Sequence, residues 1–497
     1  MASFRKNRPE KIPTDTVLPL QFWDDQRYTR AVCLDFTYRF DDVLDTEALR
    51  RSLERLLELD GWRTLGARLR MNDGGRLEYH VPAQFDANRS GINFSVSKYP
   101  MGINEHPFAA SLPHATERPS LLGNPADIMS VSLGPDCPRR MEDWLYSDRP
   151  QLAIHIVLFD DATLLTITFL HTLMDAMSLA SFFKAWLAIL KGQEDQVPTW
   201  HVFKEDPLMP LSTRTPGENY VNANILLRGL DLVVFAICFI FELIWHRDSY
   251  RIICIPGHFI NKLRTQALHE LAERERNNEQ PAPFLTESDV LLAWWFKAMI
   301  KGLNPSPSRL ISLMNVFDIR SIALHETTPS HKSTAFVTNA AISSYTHLRV
   351  HQILTKPVSF VASQIRQSLL QQRTKSQVEA WFAHQKSSLV NIANPPMFGE
   401  PTSFLICCSN WHRARFFELD FSSAVVSPGA LPLQDRPVGR PSYVIPTFHS
   451  VNFPGRNVGP IIGKDAAGNW WLAWTIRTSA WPVIEEELNA LGAGKTV

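Results

Sequence analysis

The chain has 497 residues, 45% hydrophobic and 20% charged, a composition typical of a globular enzyme that is long enough for two domains. Its 50 basic and 50 acidic residues give a formal net charge of zero, which argues against a nucleic-acid partner. Six scattered cysteines form no C-x-x-C pair, so a zinc ribbon or a thiol redox motif is not expected.

Few cysteines in a long chain suit a reducing compartment. The first ten residues lack the apolar core of a signal peptide, so we expect a cytoplasmic protein. No spacing of ligands indicates a metal site, and we expect none.

The first half of the chain is predicted to mix strands and helices. Proline and polar residues between 99 and 150 indicate long loops. The helix predicted last is apolar almost all round, and therefore buried. In chain order the predicted elements are a strand-like stretch over 18–40, an amphipathic helix over 46–59, strands over 154–159 and 163–170, and a helix over 176–190.

An apolar run of ten residues, 232–241, follows Asp231 and precedes Glu242. A membrane-spanning helix needs about 20 predominantly apolar residues, so this run is too short to be one. We predict a helix that is buried or lies on another domain. The alternative is a peripheral contact of residues 225–245 with a membrane surface.

The second half again mixes strands and helices. Thr286 and Asp289 mark a helix start before residues 290–300. Strands are predicted over 312–316, 335–343, 402–409 and 470–476, and a last helix over 482–491. Mixed elements in both halves favour an α/β (α+β) fold with two lobes of similar size.

The candidate site begins where the strand over 163–170 ends, at His171-Thr172-Leu173-Met174-Asp175. Rigid elements on both sides would hold the histidine while the end of the strand stays open. An imidazole with an ordinary pKa of about 6.5 suits a general base near neutral pH. The alternative is a core histidine that bonds a backbone carbonyl.

In this context the pentapeptide resembles the H-x-x-x-D motif of the BAHD and trichothecene-type acyltransferases, relatives of the chloramphenicol acetyltransferase fold. Further segments resemble motifs of that family in the expected order. They are residues 65–69 (A-G-R-L), 288–298 (D-V-L-x-A-x-x-W), 315–320 (D-x-R) and 336–340 (Y-F-G-N).

The C-terminal match is the most specific. Ser409-Asn410-Trp411, then Leu419-Asp420-Phe421, then Pro428-Gly429 resemble the family's T-S-W … D-F-G-W-G-x-P. Residues 422–424 are Ser-Ser-Ala where the family has G-W-G. Because that box is structural in the family, the resemblance implies a structural role for Asp420. Its divergence points towards fungal enzymes that modify terpenoids and meroterpenoids.

The resemblance implies two similar chloramphenicol acetyltransferase-like domains, each a mixed sheet with flanking helices. We expect lobes over residues 1–205 and 251–497, joined by a crossover over 206–250 that contains the apolar helix. It also implies a CoA-dependent O-acyltransferase, with acetyl-CoA as co-substrate and no permanently bound cofactor. The partners would be acyl-CoA and a hydrophobic alcohol, and we expect a monomer.

The resemblance also implies roles for single residues. His171 would be the general base, in a tunnel between the lobes. Asp175 would point away from the site and pair with Arg320. The hydroxyl of Ser409 or the indole N–H of Trp411 would stabilise the oxyanion, although Trp411 could equally be an ordinary core tryptophan. CoA-contacting residues cannot be assigned from the sequence.

Two other functions remain open at this point. A condensation-type enzyme would take its acyl group from a carrier-protein thioester. The leucine before His171 weakens that reading, because such enzymes carry tandem histidines there. A non-catalytic relative that binds a small molecule is the other alternative, suggested by the divergent box at 420–424.

Overall fold

The computed structural model describes residues 8–127, 129–202, 205–276, 284–323, 334–389, 395–429, 437–450 and 455–492. The strands in these ranges are β1 Thr16–Pro19, β2 Val32–Phe40, β3 Asp42–Leu44, β4 Arg68–Met71, β5 Leu77–Val81, β6 Asn93–Lys98, β7 Ser120–Leu122, β8 Ala153–Leu158, β9 Thr163–Leu170, β10 Thr199–Trp200, β11 Asp248–Ile255, β12 Leu310–Asp318, β13 Thr334–Ala335, β14 Ala341–Arg349, β15 Phe404–Asn410, β16 Val425–Pro428, β17 Tyr443–Ser450, β18 Val458–Lys464 and β19 Trp470–Arg477. The helices are α1 Arg27–Ala31, α2 Thr46–Glu58, α3 Met129–Ser132, α4 Met141–Leu145, α5 Ala176–Leu190, α6 Met209–Thr213, α7 Gly229–Trp245, α8 Gly257–Arg276, α9 Glu287–Leu303, α10 Arg320–Ala323, α11 Val350–Thr355, α12 Val358–Gln372, α13 Lys375–Leu389 and α14 Trp481–Gly492.

Two large mixed sheets dominate the architecture. One has five strands in the order β17-β2-β9-β8-β6, and the other has seven in the order β14-β12-β15-β18-β19-β11-β7. Antiparallel pairs prevail, but β6–β8, β12–β15 and β15–β18 are parallel. Helices α2 and α5 share the apolar core of the five-stranded sheet, and α9 and α12 that of the seven-stranded sheet. The predicted α/β architecture of mixed sheets with flanking helices is confirmed.

Each large sheet takes one strand from the other half of the chain. Strand β17, which comes late in the chain, pairs with β2 over the whole length of β17. The early strand β7 pairs with β11 at the edge of the seven-stranded sheet. In addition, β11 runs across residue 251, where the sequence places a lobe boundary. The division into lobes over 1–205 and 251–497 with a crossover over 206–250 stays a prediction.

A buried carboxylate connects three strands of the five-stranded sheet. Asp35, in the middle of β2, has no exposed surface. It accepts hydrogen bonds from Thr168 Oγ1 on β9 (2.7 Å) and Thr447 Oγ1 on β17 (3.2 Å). Arg139 Nη1 lies 2.7 Å from it and supplies the counter-charge. Asp35 thereby ties the exchanged strand β17 to the strand that leads to His171.

Local sequence signals locate several helix starts correctly. Asp45 caps α2 by accepting bonds from the backbone N–H groups of Glu47 and Ala48, at 2.9 and 3.0 Å. Thr286 and Asp289 form the predicted capping box of α9. The strands predicted over 154–159 and 163–170 and the helix over 176–190 are confirmed as β8, β9 and α5.

Two predictions are wrong. The strand predicted over 335–343 begins only at Ala341, because residues 336–340 bond to side chains around His171 instead of to a neighbouring strand. The apolar run does form the predicted helix, α7, but of its two predicted placements burial is wrong, whereas a position on another domain stays a prediction. Only Phe235 is buried among its 17 residues, and the opposite face is exposed.

We predict that Asp35→Ala lowers the free energy of unfolding by about 3–5 kcal/mol, because it leaves a partly buried arginine without its counter-charge. Urea titration followed by tryptophan fluorescence measures the effect. As a control, Arg55→Ala removes an exposed arginine that pairs with Glu58 and Glu194, and it should leave the midpoint nearly unchanged. Equal midpoints for the two variants would contradict the role of Asp35.

Candidate active site

His171 lies in the turn that joins β9 to α5. Its backbone N–H donates to the carbonyl of Val32 at 2.9 Å, so the turn remains attached to the start of β2. The N–H of Leu173 closes the turn on the carbonyl of Leu170, also at 2.9 Å. Tyr79 on β5 donates its hydroxyl to the carbonyl of Thr172 at 3.1 Å. Three separate strands therefore fix the backbone around the imidazole.

The His171 ring is partly enclosed. Its Nδ1 is buried and has no hydrogen-bond partner among the described residues. The residue as a whole keeps part of its surface accessible. The ring of Tyr28 meets the imidazole edge-on, with centroids 6.0 Å apart. The ring is thus partly accessible, with Nδ1 on its buried side.

Burial lowers the pKa of His171 below its ordinary value of 6.5, although the negative charge of Asp175 opposes this shift. The imidazole is therefore neutral at neutral pH and can accept a proton. A neutral imidazole on a rigid turn is chemically able to deprotonate a hydroxyl that comes within hydrogen-bond distance.

Asp175 caps α5 and does not bond the imidazole. Its Oδ1 accepts from the backbone N–H of Ser178 (2.9 Å) and from Arg320 Nη2 (2.8 Å), and its Oδ2 accepts from the N–H of Ala340 (3.0 Å). Burial alone would raise the pKa of Asp175, but the charge of Arg320 and these hydrogen bonds hold it below the ordinary value. The carboxylate stays ionised and structural.

Arg320 is shared between two carboxylates. Its Nη2 contacts Asp175, while its Nη1 lies 2.6 Å from Asp318 Oδ1. Nη2 also donates to Ser178 Oγ at 2.8 Å and to the carbonyl of Thr338. The predicted pairing of Asp175 with Arg320 is present, but a bidentate contact is not, because the second guanidinium nitrogen bonds Asp318.

Residues 336–340, which we call the bridging segment, connect this ion pair to His171. The N–H of Thr338 donates to Ser178 Oγ at 3.1 Å. The side-chain amide of Asn339 donates to the carbonyl of His171 at 2.9 Å and to Asp24 Oδ1 at 2.8 Å. The bridging segment comes from the second half of the chain and bonds the turn of His171 in the first.

Asp24 is a residue of this site that the sequence analysis missed. It accepts the N–H of Asn339 at 2.7 Å and the hydroxyl of Thr338 at 2.8 Å. Burial raises the pKa of Asp24 to about 7, against the lowering effect of these hydrogen bonds. A pair of acidic residues, Asp24 and Asp25, directly after an apolar stretch was the available signal. No local pattern pointed to Tyr28 or Tyr79.

The two predicted oxyanion donors are bonded to each other. The indole N–H of Trp411 donates to Ser409 Oγ at 2.7 Å, at the end of β15. The hydroxyl proton of Ser409 therefore remains available, while the N–H of Trp411 is engaged. The ring of Trp411 packs against Phe36 of β2, with centroids 5.3 Å apart, so it also belongs to the core.

Asp420 lies at the far end of α5 from His171. Its Oδ2 is 2.7 Å from Lys191 Nζ, the residue that caps the C-terminus of that helix. Burial alone would raise the pKa of Asp420, but hydrogen bonds from Lys191 and Ser422 lower it to about 2. Phe421 is fully buried against Phe40. The divergent box thus keeps its two anchoring side chains.

A surface cavity of about 600 Å³ lies elsewhere, at the edge of the seven-stranded sheet. Leu121, Arg251 and Trp481 are among the residues that line it, and it includes none of the predicted site residues.

Comparison with known proteins places the chain among transferases. A profile described as Transferase family matches residues 138–436. Acetyltransferase adrJ of Penicillium roqueforti is 42% identical over 495 residues, which cover 99% of each chain. Two further relatives are 38% identical: O-acyltransferase pboC of Aspergillus ustus, covering 92% of this chain and 96% of its own, and Transcriptional regulator calD of Penicillium decumbens, covering 98% of each.

Among solved structures, F. sporotrichioides TRI101 complexed with Coenzyme A and T-2 is similar with a TM-score of 0.65. The match covers 96% of this chain and 98% of that one, at 13% sequence identity. At this identity the likeness concerns the fold.

We predict that Asp175→Ala lowers the free energy of unfolding by about 3 kcal/mol, because Arg320 loses one of its two carboxylates in a buried setting. Asp175→Asn keeps one oxygen, which can still accept from the N–H of either Ser178 or Ala340, so its loss should be smaller. Chemical denaturation of the three proteins gives the comparison. A fully stable but inactive Asp175→Ala would indicate a direct catalytic role instead.

Proposed function

This chain belongs to the Transferase family and is an acyltransferase, and we propose that it transfers an acetyl group from acetyl-CoA to a hydroxyl of an apolar natural product, with His171 as the general base. It has the chloramphenicol acetyltransferase-like fold expected from its sequence. The observation that carries the proposal is the imidazole of His171, held on a rigid turn and kept neutral by burial.

The chemistry needs one base and one oxyanion donor. Nε2 of His171 removes the proton of the acceptor hydroxyl as its oxygen attacks the thioester carbonyl carbon. The tetrahedral intermediate then collapses, the C–S bond breaks, and the imidazolium returns the proton to the CoA thiolate. Because a thioester is already activated, no covalent intermediate on the protein is needed.

Ser409 is the better candidate for the oxyanion donor. Its oxygen accepts the indole N–H of Trp411, which leaves its own proton to donate. In this arrangement Trp411 orients the hydroxyl and does not contact the oxyanion. That assignment differs from the expectation that either group could serve.

Aromatic groups near the site favour an apolar acceptor. Tyr28 meets the His171 ring edge-on, and Trp411, which follows β15 of the seven-stranded sheet, packs against Phe36 of β2 in the five-stranded sheet. The TRI101 structure holds CoA together with T-2, and the relatives adrJ and pboC carry acyltransferase names. We extend these activities to terpenoid-type alcohols as acceptors. The direct test is release of free CoA thiol with a panel of such alcohols.

We predict that His171→Ala lowers kcat/KM by about 10²- to 10⁴-fold, because the acceptor proton loses its base. The thiol-release assay measures this loss. His269→Ala, which changes an exposed histidine on α8, is the matched control and should keep full activity. Wild-type turnover by a folded His171→Ala would refute the base assignment.

The pH dependence follows from the lowered pKa of His171. The neutral imidazole is the active form, so kcat/KM should fall as the pH drops through a midpoint below 6.5. Asp24, with a pKa of about 7, also titrates in this range. A fall in kcat/KM near pH 7 that disappears in Asp24→Asn is therefore due to Asp24. A fall with a midpoint above 6.5 that persists in this variant would contradict the lowered pKa of His171.

We predict that Ser409→Ala lowers kcat by about 10²- to 10³-fold, the usual effect of losing an oxyanion donor. Trp411→Phe removes only the N–H that orients Ser409, so its loss should be smaller while the ring packing is kept. Single-turnover rates separate this chemical step from product release. A larger loss in Trp411→Phe than in Ser409→Ala would reverse the assignment.

The name of calD favours one other function, a non-catalytic role. Calorimetry with CoA separates the two ideas. Folded protein that binds no CoA and acylates none of the panel would support the non-catalytic role, and activity with a carrier-protein thioester alone would indicate a condensation-type enzyme.

A further inference from the structure

Helix α7 presents an apolar face to the surroundings. Of the residues on that face, only Asp231 is polar. Eight large apolar side chains on this helix are 38–79% exposed, whereas the exposed apolar residues of a typical monomer are scattered singly and larger exposed patches mark interaction sites. The large exposed side chains are Leu230, Leu232, Val233, Ile237, Ile240, Phe241, Ile244 and Trp245.

The orientation of α7 is fixed by its opposite face. Glu242 points inward and pairs with Arg309 at 3.2 Å and with Arg477. Burial alone would raise the pKa of Glu242, but these two arginines hold it below its ordinary value, so the carboxylate is charged. Arg456 also donates to the backbone carbonyl of Glu242. Rolling the helix to hide its apolar face would break these ion pairs.

The dimensions of α7 suit a position in the plane of a membrane. Its 17 residues give a length of about 25 Å at 1.5 Å per residue. None of the helices in the described ranges has the length and hydropathy needed to cross a bilayer. A helix lying flat can still bury one side about 5–10 Å into the boundary between head groups and acyl chains.

The composition of the exposed face of α7 suits contact with lipid better than contact with another protein. A protein interface carries about one hydrogen bond per 100–200 Å², and this face offers one carboxylate. Exposed arginines lie at both ends, Arg228 before the helix and Arg247 after it. In an antiparallel pair of two copies, Arg228 of one would face Arg247 of the other. Anionic head groups would neutralise both arginines, and the exposed Trp245 at the end of α7 has the kind of side chain that is enriched at membrane interfaces.

We propose that α7 docks this protein on a membrane surface, with Ile237, Ile240 and Ile244 among the acyl chains and the two flanking arginines at anionic head groups. The docking does not depend on acyl transfer, so either can fail without the other.

Co-sedimentation of the full chain with vesicles of phosphatidylcholine, with and without phosphatidylserine, tests the proposal. The protein should sediment with both vesicles and more strongly with phosphatidylserine. Ile240→Glu should weaken binding at least tenfold, and Arg228→Ala/Arg247→Ala should remove the preference for phosphatidylserine. The matched control is Leu370→Glu, at an exposed leucine on α12, which should bind like the wild type.

Thermal unfolding of each variant confirms that the fold is kept, as expected for changes at exposed positions. Wild-type protein that stays in the supernatant with both vesicles would overturn the proposal. So would a dimer in light scattering that Ile240→Glu converts to a monomer, because the face would then belong to a second copy of the chain.

Discussion

The bridging segment, residues 336–340, joins the two halves of the molecule at His171. The backbone N–H groups of Thr338, Asn339 and Ala340 are directed at Ser178, Asp24 and Asp175. Buried backbone groups must find partners, so the segment can hold this path only while those three side chains are in place. Arg320 and the side-chain amide of Asn339 extend the same connection to Asp318 and to the carbonyl of His171.

The hydrogen bonds of the bridging segment explain why His171 and Asp175, four residues apart, differ in charge state. His171 and Asp175 both lie in surroundings that disfavour charge. Asp175 has a cation and several N–H donors, so it remains ionised. Nδ1 of His171 has no hydrogen-bond partner among the described residues, and the ring remains neutral. One turn of chain therefore holds a structural anion next to a free base, and the interactions that fix the anion also fix the base.

Helix α7 has the reverse of the usual arrangement of charged and apolar side chains. There the ion pairs of Glu242 lie on the inner face, and the hydrocarbon side chains point outward. In a helix at the surface of a water-soluble protein the polar residues would be expected outside. The inversion is set by three arginines from distant parts of the chain, Arg309, Arg456 and Arg477, which define the inner side of the helix.

The sequence by itself determined the local features of this protein. The pattern of apolar residues located β8, β9 and α5, capping residues located the start of α9, and the H-x-x-x-D turn identified His171. Each of these depends on neighbours within a few residues. Tertiary structure decided the rest: that residues 336–340 leave the strand pattern, that Asp24 bonds Asn339, that Trp411 donates to Ser409, and that α7 is exposed. Those outcomes depend on partners far away in the chain. A local sequence pattern does not specify which distant group will accept a hydrogen bond from a buried donor or pack against an apolar face.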